Sequence, residues 1–178
     1  MWADLSPYLL IFARLSTAFI FALSAANKLR DFPAFTQAVA GFQILPGRWV
    51  KPAAVFLATA ELAVVAMMLL GGPFLLPGFL LALVLLSLFS AALMSVLARG
   101  IHTSCNCFSA SATPISSFHV WRNISFIICI TAGCLLWALS TAPIEMNLLE
   151  LCLLSIVAAT FVLLVDNLEE IVTLVRPV

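Results

Sequence analysis

Long apolar runs separated by short polar breaks organise this chain. A membrane-crossing helix needs roughly 20 mostly apolar residues at 1.5 Å rise each, and five runs meet that requirement. The first extends from about Pro7 to Asn27, with proline near the first turn, where a missing N–H costs nothing. The second extends from about Pro52 to Leu70 and is broken by Gly71-Gly72-Pro73. The third covers about Phe74 to Ala98. The fourth covers about Ser117 to Leu139 and is closed by Thr141-Ala142-Pro143. The fifth, from about Asn147 to Val165, leads into the acidic stretch Asp166-Asn167-Leu168-Glu169-Glu170. Between the first two runs the pattern changes. Phe32, Phe35, Val39 and Phe42 recur at helical spacing and Pro46-Gly47 follows, which predicts a short amphipathic helix over Phe32 to Leu45 at the membrane interface. Lipid offers no partner to an open strand edge, so every span should be helical. The expected fold is an all-α, polytopic membrane helix bundle. It has about five transmembrane helices plus a short interfacial helix, in a single domain over residues 1–178.

Composition agrees. Of 178 residues, 64% are hydrophobic and 9% charged, and the mean hydropathy is +1.20. A soluble domain is nearer half apolar and a quarter charged. Eight basic and eight acidic residues cancel, leaving no basic field to attract nucleic acid. Five cysteines are too few for a disulfide-stapled fold, and their number is odd. Cys129, Cys134 and Cys152 lie inside apolar runs, where cysteine behaves as a small hydrophobe. Cys129 and Cys134 are spaced so that they do not share a helix face, which argues against a second redox pair. The start, Met1-Trp2-Ala3-Asp4, has no basic n-region, so the first run is expected to be a retained anchor.

Basic residues predict orientation. Lys28, Arg30, Arg48 and Lys51 lie between the first two runs, Arg99 follows the third and Arg122 opens the fourth, while the two connections on the other side carry no lysine or arginine. The positive-inside rule then places the N-terminus outside and this rim in the cytoplasm. Parity of five helices puts the first and third connections at one end whichever way the chain is inserted. His102, Cys105, Cys107 and His119 therefore share that rim with Lys28 and Arg122.

The chemistry-bearing stretch is Cys105-Asn106-Cys107-Phe108, in a polar segment between the third and fourth runs. A thiolate attacks disulfides, and nearby cations favour the thiolate. A Cys-x-Cys disulfide closes a tight ring, and strain makes it easier to reduce, which suits exchange better than bracing. The same spacing offers two sulfur ligands, and His102 and His119 could complete a metal set, although structural zinc spacing is wider. The two histidines could equally accept protons near neutral pH. Two charges fall within spans, Arg14 and Glu61, and such residues usually face the bundle interior and pair. Glu61 could pair with Arg14 or stay protonated, and it could relay a proton during thiol exchange. At the head of the fourth run, Trp121 suits an aromatic belt. Arg122 could steady a thiolate or bind an anionic headgroup, and Asn123 could satisfy loop carbonyls or donate across helices. No residue pattern points to a cofactor; a quinone or a metal is chemically open but unsupported by any motif.

Taken together these pieces resemble the MauE family, related to the DoxX-like membrane proteins. The resemblance rests on Ala25-Ala26-Asn27-Lys28-Leu29-Arg30-Asp31-Phe32 with Phe35 and Phe42-Gln43-Ile44-Leu45-Pro46. It continues with Ala60-Glu61-Leu62, Cys105-Asn106-Cys107-Phe108 and Arg122-Asn123. Family members usually carry glycine where this chain has Asn106 and Ser109. The resemblance implies a multi-pass protein of the bacterial inner membrane working with a thioredoxin-fold partner of MauD type. The pair would support disulfide formation in an exported, cysteine-rich protein, on the periplasmic side. Cys105 and Cys107 would then be the exchanging thiols, within a motif of Lys28, Glu61, Arg122 and Asn123. Two other readings stand beside thiol–disulfide exchange: a non-enzymatic membrane subunit or assembly factor, and a Cys/His metal-handling membrane protein.

Overall fold

The computed structural model describes residues 2–101, 117–139 and 147–167. Among these every regular element is helical: α1 (Trp2–Arg30), α2 (Phe32–Gly41), α3 (Gly47–Leu70), α4 (Leu75–Ala98), α5 (Ser117–Leu139) and α6 (Leu148–Asp166), with a 3-10 turn at Gly72–Phe74 leading into α4. Five segments are long and apolar enough to span a bilayer: Leu5–Arg30, Gly47–Leu70, Gly72–Ala98, Val120–Leu139 and Leu148–Asp166. This is the expected bundle, with longer first and second spans. Helix α1 begins ahead of Pro7, and α3 begins directly after Pro46, so Pro52 lies inside it.

Helix α1 is the centre of the bundle, touching each of the other helices. In its most apolar window 56% of residues are buried, against 11% in α6, whose outer face presents Leu153, Ile156, Val157 and Leu164 to lipid. The core is aliphatic and aromatic, with Ile20, Val64, Phe79, Phe126 and Ile130 among its buried residues. Close approach of α1, α4 and α5 depends on Gly133. A Cβ there would meet Phe79 Cζ at 2.9 Å and the Cβ of Ala13 at 3.0 Å. Small residues permit such crossings where no hydrophobic force drives helices together.

The helices are offset along the bundle. Glu61 lies level with Ser24, about 9 Å from the end of α1 but about 21 Å from the start of α3. The early turns of α3 therefore project past α1 on the rim side, and α2 packs beside them, burying Phe35 and Ala38 where α3 buries Val50 and Ala54. Asp31 caps α2, its Oδ1 accepting from Ala34 N at 3.0 Å. The helix stops at Gly41, short of the expected Leu45, and Gln43 adopts φ +52°. Arg99 fixes this end: Nη2 donates to Phe42 O at 2.6 Å and Nη1 to Gln43 O at 3.3 Å. At the opposite end the N-terminal turns of α1 project past α3 and pack on α6, where Phe12 and Phe161 sit 5.4 Å apart and Tyr8 reaches Glu150. Asn147 and Glu150 form a capping box at the start of α6.

Candidate functional site

The offset decides which charges meet. Glu61 does not pair with Arg14, contrary to the expectation from sequence. Arg14 Nε donates to Met68 O at 2.6 Å and Nη2 to Leu69 O at 2.9 Å, satisfying carbonyls that the end of α3 leaves open. Gly71 leaves room for the guanidinium, since a Cβ there would lie 2.8 Å from Arg14 Nη2.

The partner of Glu61 is Lys28. Its ammonium forms an ion pair with Glu61 Oε1 and donates to Ser24 Oγ at 2.7 Å, and the Ser24 hydroxyl donates to the same Oε1 at 3.0 Å. Lys28 is 3% exposed and Glu61 8%. Two aromatic rings complete the surroundings of the ammonium, Phe35 of α2 at 5.1 Å and Phe89 of α4 at 5.9 Å from their centroids. Cation–π contact is stronger where water is excluded. The sequence placed Lys28 on a basic rim; in the structure it is buried, with Phe35 of α2 against its ammonium.

The motif divides at α5. Asn123, 1% exposed, turns toward α4 and its Nδ2 donates to Ser90 Oγ at 3.3 Å, a bond across helices, one of the two roles open to it from sequence. It lines a cavity of about 30 Å3 with Ser24, Lys28, Glu61, Phe21 and Phe89. Glu61 Oε2 has no hydrogen-bond partner among the described residues. Arg122, buried rather than on a solvated rim, turns the other way, and its Nη1 donates to Asp166 Oδ1 at 3.0 Å. Trp121 is 64% exposed, as suits a residue at the membrane interface. Sequence reasoning read Phe35 in the pattern of α2 and in the family motif but not as a neighbour of Lys28, and it missed Ser24 and Phe89. Ser24 was detectable as a hydroxyl one helical turn before Lys28; Phe89 carried no signal among fourteen phenylalanines.

His102, Cys105 and Cys107 lie outside the described residues, as does the side chain of His119, and so does the expected metal set built on them. On either side of that segment, Ile101 and Val120 pack against the same small cluster of Phe42, Leu93 and Val96. Among the described residues no group of three or more His, Cys, Asp or Glu could hold a metal ion. Cys129 and Cys134 are half-buried against the core and Cys152 is exposed on α6; all three are free thiols.

Comparison with known proteins identifies the family. The family described as "Methylamine utilisation protein MauE" matches residues 6–139. The chain is 33% identical over 122 residues to the methylamine utilization protein MauE of Paracoccus denitrificans, covering 67% of this chain and 65% of that one. It is 32% identical over 144 residues to the MauE of Methylophilus methylotrophus, covering 79% and 72%. The match thus spans just under two thirds of the length of the first relative. No solved structure matches. With the family matched across α1 to α5 and five helices long and apolar enough to cross a membrane, the chain belongs to the MauE family of multi-pass membrane proteins.

Proposed function

We propose that this chain is a bacterial inner-membrane thiol–disulfide exchange protein acting in methylamine utilisation. In this reading it supports maturation of an exported, cysteine-rich protein together with a thioredoxin-fold partner. The observation that carries the reading is the convergence of Lys28, Glu61 and Asn123 in the part of the bundle nearer the end where the chain leaves α4 and enters α5. The segment between those helices holds Cys105 and Cys107. A buried ion pair is a weak source of stability, because desolvation offsets most of the Coulomb gain. Ionisable residues inside a membrane more often mark a working site.

The chemistry is thiol–disulfide exchange. One of the two thiolates attacks the partner's disulfide, the partner's S–S bond breaks, and a mixed disulfide forms. The second thiolate then attacks that mixed disulfide and releases the partner as a dithiol. The pair Cys105–Cys107 ends oxidised and the partner reduced; the reverse sequence oxidises the partner.

The test is to express Cys105→Ser, Cys107→Ser and the double variant with the thioredoxin-fold partner. Loss of the resolving thiol should accumulate a mixed disulfide on non-reducing gels, and the double variant should form none. Wild-type maturation of the exported protein by the double variant would end this reading.

A further inference from the structure

Cations gather at the rim end of the bundle with no carboxylates to answer them. Arg48 and Lys51 are exposed one helical turn apart at the start of α3. Arg99, at the end of α4, donates to Ser95 O, Gln43 O and Phe42 O. These bonds use three of its five N–H donors and hold the guanidinium against the linker between α2 and α3. The sequence has no aspartate or glutamate between Asp31 and Glu61, or between Glu61 and Glu145. Asp31 is engaged in the cap at the far end of α2, and Glu61 is buried with Lys28. We propose that this linker, with Arg48, Lys51 and Arg99, binds the headgroup of an anionic phospholipid. Such binding is independent of the thiol chemistry.

The linker suits a membrane surface. Residues 43–49 are all exposed, and Ile44, Leu45 and Trp49 among them are 50%, 40% and 55% exposed. Single exposed apolar residues need no explanation. Three within one short linker, beside cations, make the composition of an interfacial segment, with tryptophan at headgroup level and aliphatic side chains in the acyl boundary. Helix α3 buries Val50 and Ala54, which leaves Arg48, Trp49 and Lys51 on its outer side.

Depth along the bundle agrees. Glu61 lies about 14 Å from Leu70 at the end of α3. Ser90, which Asn123 ties to the cavity beside Glu61, lies about 14 Å from Arg99 at the other end. With a hydrocarbon core about 30 Å thick, the Lys28–Glu61 pair is then near the bilayer midplane. Along α3, Lys51 lies about 15 Å from that level and Arg48 about 20 Å. Lys51 and Arg99 thus reach the edge of the hydrocarbon, and Arg48 and Trp49 stand among the headgroups. Lipid phosphates occupy this layer, which favours a phospholipid over an acidic soluble protein. A free anion would gain nothing from Ile44, Leu45 and Trp49. Each cation near a membrane surface favours an anionic lipid by about fivefold.

The experiment reads the fluorescence of Trp49 in the full chain, with Trp2, Trp121 and Trp137 replaced by phenylalanine. The protein is reconstituted in phosphatidylcholine vesicles that contain brominated phosphatidylglycerol or, separately, brominated phosphatidylcholine. Phosphatidylglycerol should quench more strongly. Arg48→Gln and Lys51→Gln should each lower its relative association constant by up to about fivefold, and added salt should lower it too. Equal quenching by the two brominated lipids overturns the proposal, as does a preference that survives both substitutions together. Quenching by aqueous iodide and by neither lipid also overturns it, and marks the linker as a surface for water or a soluble acidic partner. Where the three tryptophan replacements do not fold, native mass spectrometry of the unsubstituted chain reads the same preference from micelles holding equal amounts of the two lipids. Equal retention of both lipids there overturns the proposal.

Discussion

Arg122 Nη1 lies 3.0 Å from Asp166 Oδ1, tying the head of α5 to the last residue of α6. The family match ends at residue 139, before α6 begins. The last helix nonetheless supplies a carboxylate to a buried guanidinium inside the matched region. Asp166→Asn should destabilise the fold by about 1.5–3 kcal/mol, the range for hydrogen bonds to charged groups. Chemical denaturation in mixed micelles measures it. A double-mutant cycle with Arg122→Ala should show coupling; strictly additive losses would mean that the contact does not hold the helices together.

Removing one member of the Lys28–Glu61 pair should cost more than removing both. Lys28→Met strands a carboxylate among Phe21, Leu85 and Phe89, and breaking a buried pair in this way costs about 3–5 kcal/mol. Lys28→Met with Glu61→Leu removes both charges and should recover most of that loss. Equal losses in the single and double variants, read by the same denaturation, would contradict the pairing.

Gly133 tests the packing at the centre. Any side chain there starts from a Cβ already within 3.0 Å of Phe79 and Ala13. Gly133→Val should destabilise by about 1–3 kcal/mol through overpacking. Gly47→Ala, where nothing lies within 4 Å, is the control and should leave the unfolding midpoint nearly unchanged.

Arg30, Arg48, Lys51 and Arg99 are exposed at the end of the bundle from which the cysteine segment departs. Burial of Lys28 and Arg122 in ion pairs removes two charges from that rim and leaves these four. The charge rule therefore still predicts that Cys105 and Cys107 face the cytoplasm. A membrane-impermeant maleimide should label them in inverted vesicles and not in intact spheroplasts. Labelling from outside would instead match the periplasmic work that the family resemblance implies, and would show that these charges do not set orientation.

Much of this was legible in the sequence, and the reasons are local. The spans could be read because twenty apolar residues have few other uses, and α2 because Phe32, Phe35, Val39 and Phe42 keep helical period. Glu61 stood out as a charge inside a span. Its partner was assigned wrongly because the sequence gives each helix's length but not its shift along a neighbour. Counting depth from span ends placed Arg14 beside Glu61. The structure instead slides α3 so that Glu61 meets Ser24 and Lys28, while Arg14 meets the open carbonyls at the other end of α3. The two rings beside Lys28 were hidden for a related reason, since the place of Phe35 and Phe89 against its ammonium comes only from the helices that bring them together.

The order in which these contacts appear along the chain bears on how the protein is made. Arg14 precedes its acceptor Met68 by 54 positions, Lys28 precedes Glu61 by 33, and Arg122 precedes Asp166 by 44. During synthesis each cation therefore emerges well before the oxygen that will satisfy it. Each must wait near a headgroup, in water or beside the insertion machinery until a later helix arrives. A chain cut short between Lys28 and Glu61 would leave the ammonium without its carboxylate.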